Sequence, residues 1–455
     1  KLRPTFASIY RVPLEHHGQC HLPGTEASAD GYAHYILWSE KYECPHCQKH
    51  FTLYEAIDQT TGRVGNEVDC PKCGEEVQRQ RLRAIAVEPV LINYETSSQK
   101  GRQKRAPIDA DLEHIRGFTR ETVAGWYPSV SMGNDRDMYN ISALHLRGIG
   151  EVADFYTPRN LHALSVLLRE IQRVEDDRIR QVFTFAFTNT AWHGTRMRRF
   201  NARGGQRPLT GTLYIPQISS EVNVLETMNN KVRQLARYYE EFPRELEEPA
   251  PVITLGSAAD LSEIPDCSVD YIFTDPPFGS NIFYADCNLV TESWLGGITK
   301  VEHEAVVNRT LGPEVGGKSL GDYGTLLGTA LKEARRVLKP DSWMTMVFHN
   351  TDAQVWGALQ AAAEAAGFEL VGAGSLDRKQ MSHKGYKGRS GKEKVAHFDV
   401  VMSLRKTTGA APKSRGPAPK SYLARQIKRL IEEAPRSGKE QWVHSELIQC
   451  LVGDG

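Results

Sequence analysis

Ser268-Val269-Asp270-Tyr271-Ile272-Phe273-Thr274-Asp275-Pro276-Pro277-Phe278 is an apolar run of strand length that stops on an acid, two prolines and an aromatic ring. Proline cannot donate to a sheet ladder, so the strand Val269 to Thr274 ends there and leaves Asp275 at its C-terminal end. Outward from this point the pattern keeps alternating. Val252 to Leu255 reads as a preceding strand. Tyr323 to Leu338 sets Leu327, Leu331, Ala334 and Leu338 on one helical face. Trp343 to Phe348 is a further strand, Val355 to Ala366 a helix, and Phe368 to Val371 with Phe398 to Leu404 a closing strand pair. Short strands alternating with helices predict an α/β sheet. Open sheets of this class bind ligands beyond the C-terminal ends of their strands, which is where Asp275 stands.

Upstream the decisive residues are cysteines. Cys44-Pro45-His46-Cys47 and Cys70-Pro71-Lys72-Cys73 are two C-x-x-C knuckles with 22 residues between them. That spacing lets two turns close a tetrahedral four-thiolate zinc site, and strand-like residues before each knuckle predict paired hairpins, a zinc ribbon. Four thiolates leave no open coordination position, so the zinc is expected to be structural, and so small a module to draw much of its stability from the metal. His46 is expected to face solvent. Cys20, Cys267, Cys287 and Cys450 lack partners at ligand spacing and read as free thiols. Farther on, Thr157-Pro158 supplies a cap and a first-turn proline to a helix carrying Leu161, Leu164, Leu168 and Ile171. A second helix is expected from Glu221 to Glu241. The chain then divides into a strand-rich lead-in over 1–40, the ribbon over 41–78, a connector over 79–150, a helical insertion over 151–248, the α/β region over 249–406, and a linker with a short helix around Leu423 to Glu433 over 407–455.

Composition bounds the rest. The 455 residues carry 56 Lys and Arg against 56 Asp and Glu, with 40% hydrophobic residues. This is globular composition without a global field for a nucleic acid or a membrane. The most apolar long stretch, Ala353 to Gly374, is broken by Gln354, Gln360, Glu364 and Glu369, so no bilayer span is expected. Eight cysteines without a secretory segment predict a reducing, cytoplasmic setting. Positive charge is local: Arg196, Arg198, Arg199, Arg203 and Arg207 around Phe200, and Arg378 to Lys394, with seven Lys or Arg against one Glu. Both stretches suit contact with the phosphates of a nucleic acid.

The chemistry suited to Asp275-Pro276-Pro277-Phe278 is alkylation of an exocyclic amino group on a planar base. The lone pair of such an amine is delocalised into the ring and is a poor nucleophile. A carboxylate and a backbone carbonyl, both accepting from the same amine, draw it towards tetrahedral geometry and free the lone pair for attack on a methyl sulfonium. Asp275 offers the carboxylate and Pro276 the carbonyl, and consecutive prolines hold that carbonyl with little freedom to lose. Phe278 offers a flat face for a base extruded from its duplex. Methylation at cytosine carbon 5 needs a cysteine nucleophile presented in a Pro-Cys pair, and the chain has no Pro-Cys dipeptide.

At these residues the chain resembles the amino DNA methyltransferases, S-adenosylmethionine enzymes acting on adenine N6 or cytosine N4, and more closely the bacterial DNA methylases whose catalytic domain is interrupted by a zinc ribbon. The resemblance extends over the ribbon, Phe155-Tyr156-Thr157-Pro158-Arg159, Gly204-Gly205-Gln206-Arg207-Pro208, Gly211-Thr212-Leu213-Tyr214-Ile215-Pro216, Thr274 to Asn281, and Arg336-Val337-Leu338-Lys339-Pro340. It implies a Rossmann-like S-adenosylmethionine methyltransferase sheet carrying the ribbon and the helical insertion. It also implies base binding by Asp275, Pro276, Pro277 and Phe278, with adenine N6 favoured by the aspartate. By the same resemblance Thr157 and Pro158 approach the methionine carboxylate and Gly256 and Ser257 the cofactor's adenine; Asn281, Tyr284 and Asp286, which immediately follow the motif, are expected to line the base pocket. The family's Phe-x-Gly-x-Gly cofactor turn has no convincing counterpart, Arg147-Gly148-Ile149-Gly150 being the nearest, and since the sequence starts on Lys1 the turn is expected to precede it. Two other functions fit the same residues: an RNA methyltransferase of the guanine N2 type, and a non-catalytic zinc-ribbon DNA-binding protein.

Overall fold

The computed structural model describes residues 3–14, 30–62, 64–97, 99–202, 207–242, 251–350, 352–377, 398–407 and 429. They fall into two compact units, one of residues 1–250 with 284–299, the other of 251–283 with 300–455. The basic stretch Arg378 to Lys394, the linker past Thr407 and the helix expected around Leu423 to Glu433 lie outside the described residues apart from Arg429, as do Arg203 to Gln206.

The first unit is organised by one long strand. Its strands are β1 (Arg11–Val12), β2 (Gly31–Glu43), β3 (His50–Thr52), β4 (Glu67–Asp69), β5 (Glu76–Gln78), β6 (Ala84–Glu95), β7 (Gln103–Arg105) and β8 (Ile218–Val222). One side of β2 pairs with β6, which in turn pairs with β7, while its other side is shared by β1, β8 and β3 in succession, all antiparallel. Within the connector, Gln103 to Arg105 adds a strand, and Arg105 pairs with Asp111. The lead-in also differs from expectation, because Arg3–Ile9 is a helix, α1.

The other helices here are α2 (Asp109–Arg116), α3 (Asp137–Ile141), α4 (Pro158–Gln172), α5 (Asp177–His193), α6 (Val224–Glu241) and α7 (Tyr284–Leu295). Caps set their starts: Thr157 accepts from the Asn160 N–H, Asp176 from those of Arg178 and Ile179, and Asn223 from those of Leu225 and Glu226. Buried Arg159 holds Glu221 at 2.8 Å, and the second oxygen of Glu221 accepts from the Trp38 indole at 2.7 Å. That ties α4 to β8 and β2 with the carboxylate satisfied on both sides, the condition a buried ion pair needs. Trp294 of α7 packs edge-on against Phe187 and Tyr156, and its indole donates to the Tyr156 hydroxyl.

The second unit contains β9 (Val269–Thr274), α8 (Leu320–Val337), β10 (Leu338–Phe348), α9 (Ala353–Ala365), β11 (Phe368–Asp377) and β12 (Phe398–Lys406). The sheet order is β11-β12-β10-β9, with β9 and β10 parallel and the other pairs antiparallel. Tyr323, Leu327 and Leu331 of α8 and Val355 and Leu359 of α9 bury one face together with Met344, Met346, Phe348, Met402 and Leu404. This is the α/β architecture read from the sequence, a parallel strand pair with a helix between them and an antiparallel closure. One expected strand is absent. Val252 to Leu255 has no regular structure, and Val252, Ile253 and Leu255 are 85%, 93% and 105% exposed. Apolar, β-branched residues make a strand only beside another strand, and no described strand lies alongside them.

Candidate active site and metal centre

Asp275 follows the last residue of β9 at the C-terminal edge of the parallel pair, where Thr274 is in register with Met346 of β10. It is exposed, while Pro276, Pro277 and Phe278 are half-buried. The Phe278 ring meets Phe348 at 5.3 Å and 82°, and the His349 ring lies 6.1 Å away. Phe278 is thus braced from beneath by the end of β10. Gly279 has φ +69°, and a Cβ there would stand 3.2 Å from Val355 and 3.3 Å from the Asn350 amide, so this left-handed, crowded position favours glycine.

Three carbonyls of this turn are held. The Tyr323 hydroxyl donates to the Pro277 carbonyl at 2.7 Å, the Asn350 amide donates to that of Phe278 at 2.9 Å, and the Val307 N–H donates to that of Gly279 at 3.3 Å. Burial pushes the Tyr323 hydroxyl up to about 12, against the Gly279 N–H, which lowers it, so the phenol is a donor at any working pH. Asn350 is itself fixed: its side-chain oxygen accepts from the Asp352 N–H at 2.7 Å and its carbonyl from the Trp356 indole at 2.9 Å. His349 stands 3.4 Å from Asp399. Tyr323, His349 and Asn350 were not legible as site residues. Tyr323 reads only as helix core, although the rule that singled out Asp275, the C-terminal end of a sheet strand, applies equally to His349 and Asn350.

The residues expected near the cofactor fall in both units. Gly256 and Ser257 belong to the unit of Asp275: nothing lies within 4 Å of a Cβ built on Gly256, and the Ser257 hydroxyl accepts from the Ala259 N–H. Thr157 and Pro158 belong to the other unit and start α4, where the Thr157 hydroxyl is committed to its own helix. Asp286 also belongs to that unit. It is buried, bound to Arg136 at 3.0 Å and to the Met138 N–H at 3.0 Å, and its burial raises its pKa. Arg147-Gly148-Ile149-Gly150 follows no strand; Gly148 ends the 3-10 turn Leu144–Arg147 at φ +66°. Of the expected basic patch, Arg196 donates to the Asp154 carbonyl and Arg198 lies 3.4 Å from His193, its guanidinium lowered to about 10 by burial, whereas Arg199 and Arg207 are exposed.

The four knuckle cysteines converge. Their sulfurs all lie within 4.8 Å of one another, with Cys44 to Cys73 at 3.8 Å and Cys47 to Cys70 at 3.9 Å. A regular tetrahedron of thiolates around zinc, with Zn–S about 2.3 Å, has edges of about 3.8 Å. The residues therefore fit the ion. The two knuckles repeat one turn: the Cys44 carbonyl accepts from Gln48 and the Cys70 carbonyl from Gly74, and both donors have left-handed φ, 57° and 78°. β2 with β3 and β4 with β5 form the two hairpins. The ribbon is less isolated than its sequence suggests, because Cys44, Phe51, Leu53, Val68 and Val77 share a buried cluster with Leu37 of β2 and Ile218 of β8.

No family model and no curated protein matches the chain. Among solved structures, 38% of it is similar to 61% of a putative DNA modification methylase from Thermus thermophilus, at 16% identity and a TM-score of 0.20. Likewise 39% is similar to 61% of the PvuII DNA methyltransferase (cytosine-N4-specific), at 15% identity and a TM-score of 0.24. A further 39% match covers 77% of a SAM-dependent methyltransferase from Methanosarcina mazei, at 13% identity and a TM-score of 0.20. The chain thus spans about 61% of the length of the first two. Likenesses of this size leave the chemistry to be argued from the chain's own residues.

Proposed function

We propose that the protein is an S-adenosylmethionine-dependent DNA methyltransferase acting on an exocyclic amino group, with adenine N6 as the target. The observation that carries this reading is the turn Asp275 to Gly279 at the C-terminal edge of a parallel strand pair, with its carboxylate exposed and its aromatic ring braced by Phe348. When bound, the cofactor supplies an electrophilic methyl group. Asp275 accepts one N–H of the target amine and the Pro276 carbonyl the other, so the nitrogen lone pair leaves conjugation with the base. Phe278 stacks on the flipped base. The proton shed by the amine as its nitrogen is methylated passes to the Asp275 carboxylate and from there to water. Gly256 and Ser257, with open space at Gly256, and Thr157 with Pro158 are assigned to the cofactor. Among the described residues β9 has a partner on one side only, and Val252 to Leu255 beside it in sequence is exposed, so this edge has room for a further strand.

Cys44, Cys47, Cys70 and Cys73 would hold a structural zinc that cross-links the two hairpins. Among the described residues no helix is long and apolar enough to cross a membrane. The test is Asp275→Ala in the natural protein. Methyl transfer from labelled cofactor to DNA is expected to fall by at least about a hundredfold, as for loss of a principal electrostatic contact to the reacting group, with DNA affinity little changed. Equal transfer by the variant would refute the mechanism.

A further inference from the structure

The two prolines fix φ at positions 276 and 277 and so narrow the directions open to the Pro276 carbonyl, whose final aim depends on the peptide planes on either side. Upstream, β9 pins the chain through Thr274. Downstream, the next three carbonyls, those of Pro277, Phe278 and Gly279, are taken by Tyr323, Asn350 and the Val307 N–H. Among the described residues no hydrogen bond takes the Pro276 carbonyl. Because the ring locks φ of Pro277, its ψ is the one soft torsion between the anchored Pro277–Phe278 plane and the plane that carries the Pro276 oxygen.

We infer that Tyr323 and Asn350 are positioning residues that clamp the turn from α8 and from the end of β10, so that the Pro276 carbonyl, which no hydrogen bond takes among the described residues, is aimed at the target amine. The inference rests on the methyltransferase reading and adds to it the two side chains that set the acceptor. They are 46 and 72 residues from the carbonyls they hold, and each is immobilised by its own surroundings: Tyr323 is fully buried in the sheet's core, and Asn350 is braced by Asp352 and Trp356. A clamp of this kind acts on the transition state more than on binding, because the amine becomes tetrahedral only as it reacts.

The test measures methyl transfer to unmethylated plasmid DNA by the natural protein, Tyr323→Phe and Asn350→Asp, each with its melting temperature. Tyr323→Phe keeps the ring and removes the hydroxyl, both the donor to Pro277 and the acceptor for the Gly279 N–H. Asn350→Asp keeps the acceptor for the Asp352 N–H while replacing the donor to Phe278. Each is expected to lower kcat by about tenfold or more with KM for DNA within about twofold, the pattern of an interaction expressed in the transition state. Undiminished kcat in both variants beside an active parent would overturn the clamp and leave the methyltransferase reading intact. Equal loss in kcat and DNA affinity would make the two residues merely structural. An inactive parent would sink the methyltransferase reading, and the clamp with it.

Discussion

Gly279 is the residue whose role is most sharply set by geometry. Its φ of +69° strains any side chain, and a Cβ would press on Val355 and Asn350 at 3.2–3.3 Å, so that they have to give by a few tenths of an ångström. Gly279→Ala is expected to cost about 1–3 kcal/mol of stability from backbone strain and to lower methyl transfer by displacing Asn350. Urea unfolding and kcat check the two effects; a variant matching the parent in both would show that the turn is not under this constraint. The Asp-Pro-Pro-Phe run itself was readable, since acid, φ-locked carbonyls and an aromatic ring lie contiguous in the chain. Tyr323 and Asn350 were not, because hydrogen bonds to backbone carbonyls 46 and 72 residues away leave no local pattern. Asp286 shows the converse: adjacency to the motif suggested a pocket residue, yet it turns to Arg136 and the Met138 N–H.

Among the elements, the two cysteine hairpins came through from spacing alone, because ligand geometry dictates spacing. Their packing onto β2 and Ile218 did not, since that contact joins distant segments. The natural protein is expected to hold one zinc per chain by elemental analysis. Cys44→Ser should lower that stoichiometry and loosen the hairpins, while the sheet around β2 keeps its far-ultraviolet signal; unchanged zinc content would count against the ribbon. Val252 to Leu255 was misread for a related reason, that a strand is a property of a pair. At the end of α5, burial, aided by Arg198, Arg207 and Lys231, holds the His193 imidazole down to about 4 against an ordinary 6.5. The folded state therefore keeps it neutral, and the unfolded chain takes up the proton first as pH falls. Stability is complete above 6.5 and is lost progressively down to about 4, by about 1–3 kcal/mol. Urea midpoints across that range should drop for the parent and flatten in His193→Gln; parallel slopes would remove His193 from the account.

For the whole molecule, the balanced charge of 56 against 56 conceals that the arginines of one basic stretch differ in use. Arg196 and Arg198 serve the interior of the first unit, while Arg199 and Arg207 are exposed. The class of the fold was legible because strand and helix periods alternate cleanly after Pro251; the long strand β2 that organises the other unit was not, since its residues carry only a loose alternation. Each unit carries one of the two candidate sites, the four clustered cysteines in the first and the Asp275 turn in the second. The central claim is the reaction at that turn. Its most direct test is to incubate the natural protein with unmethylated DNA, RNA and methyl-labelled S-adenosylmethionine, hydrolyse the products and identify the labelled nucleoside. The account predicts label in DNA as N6-methyladenine; label found only in RNA, or on carbon 5 of cytosine, would contradict it.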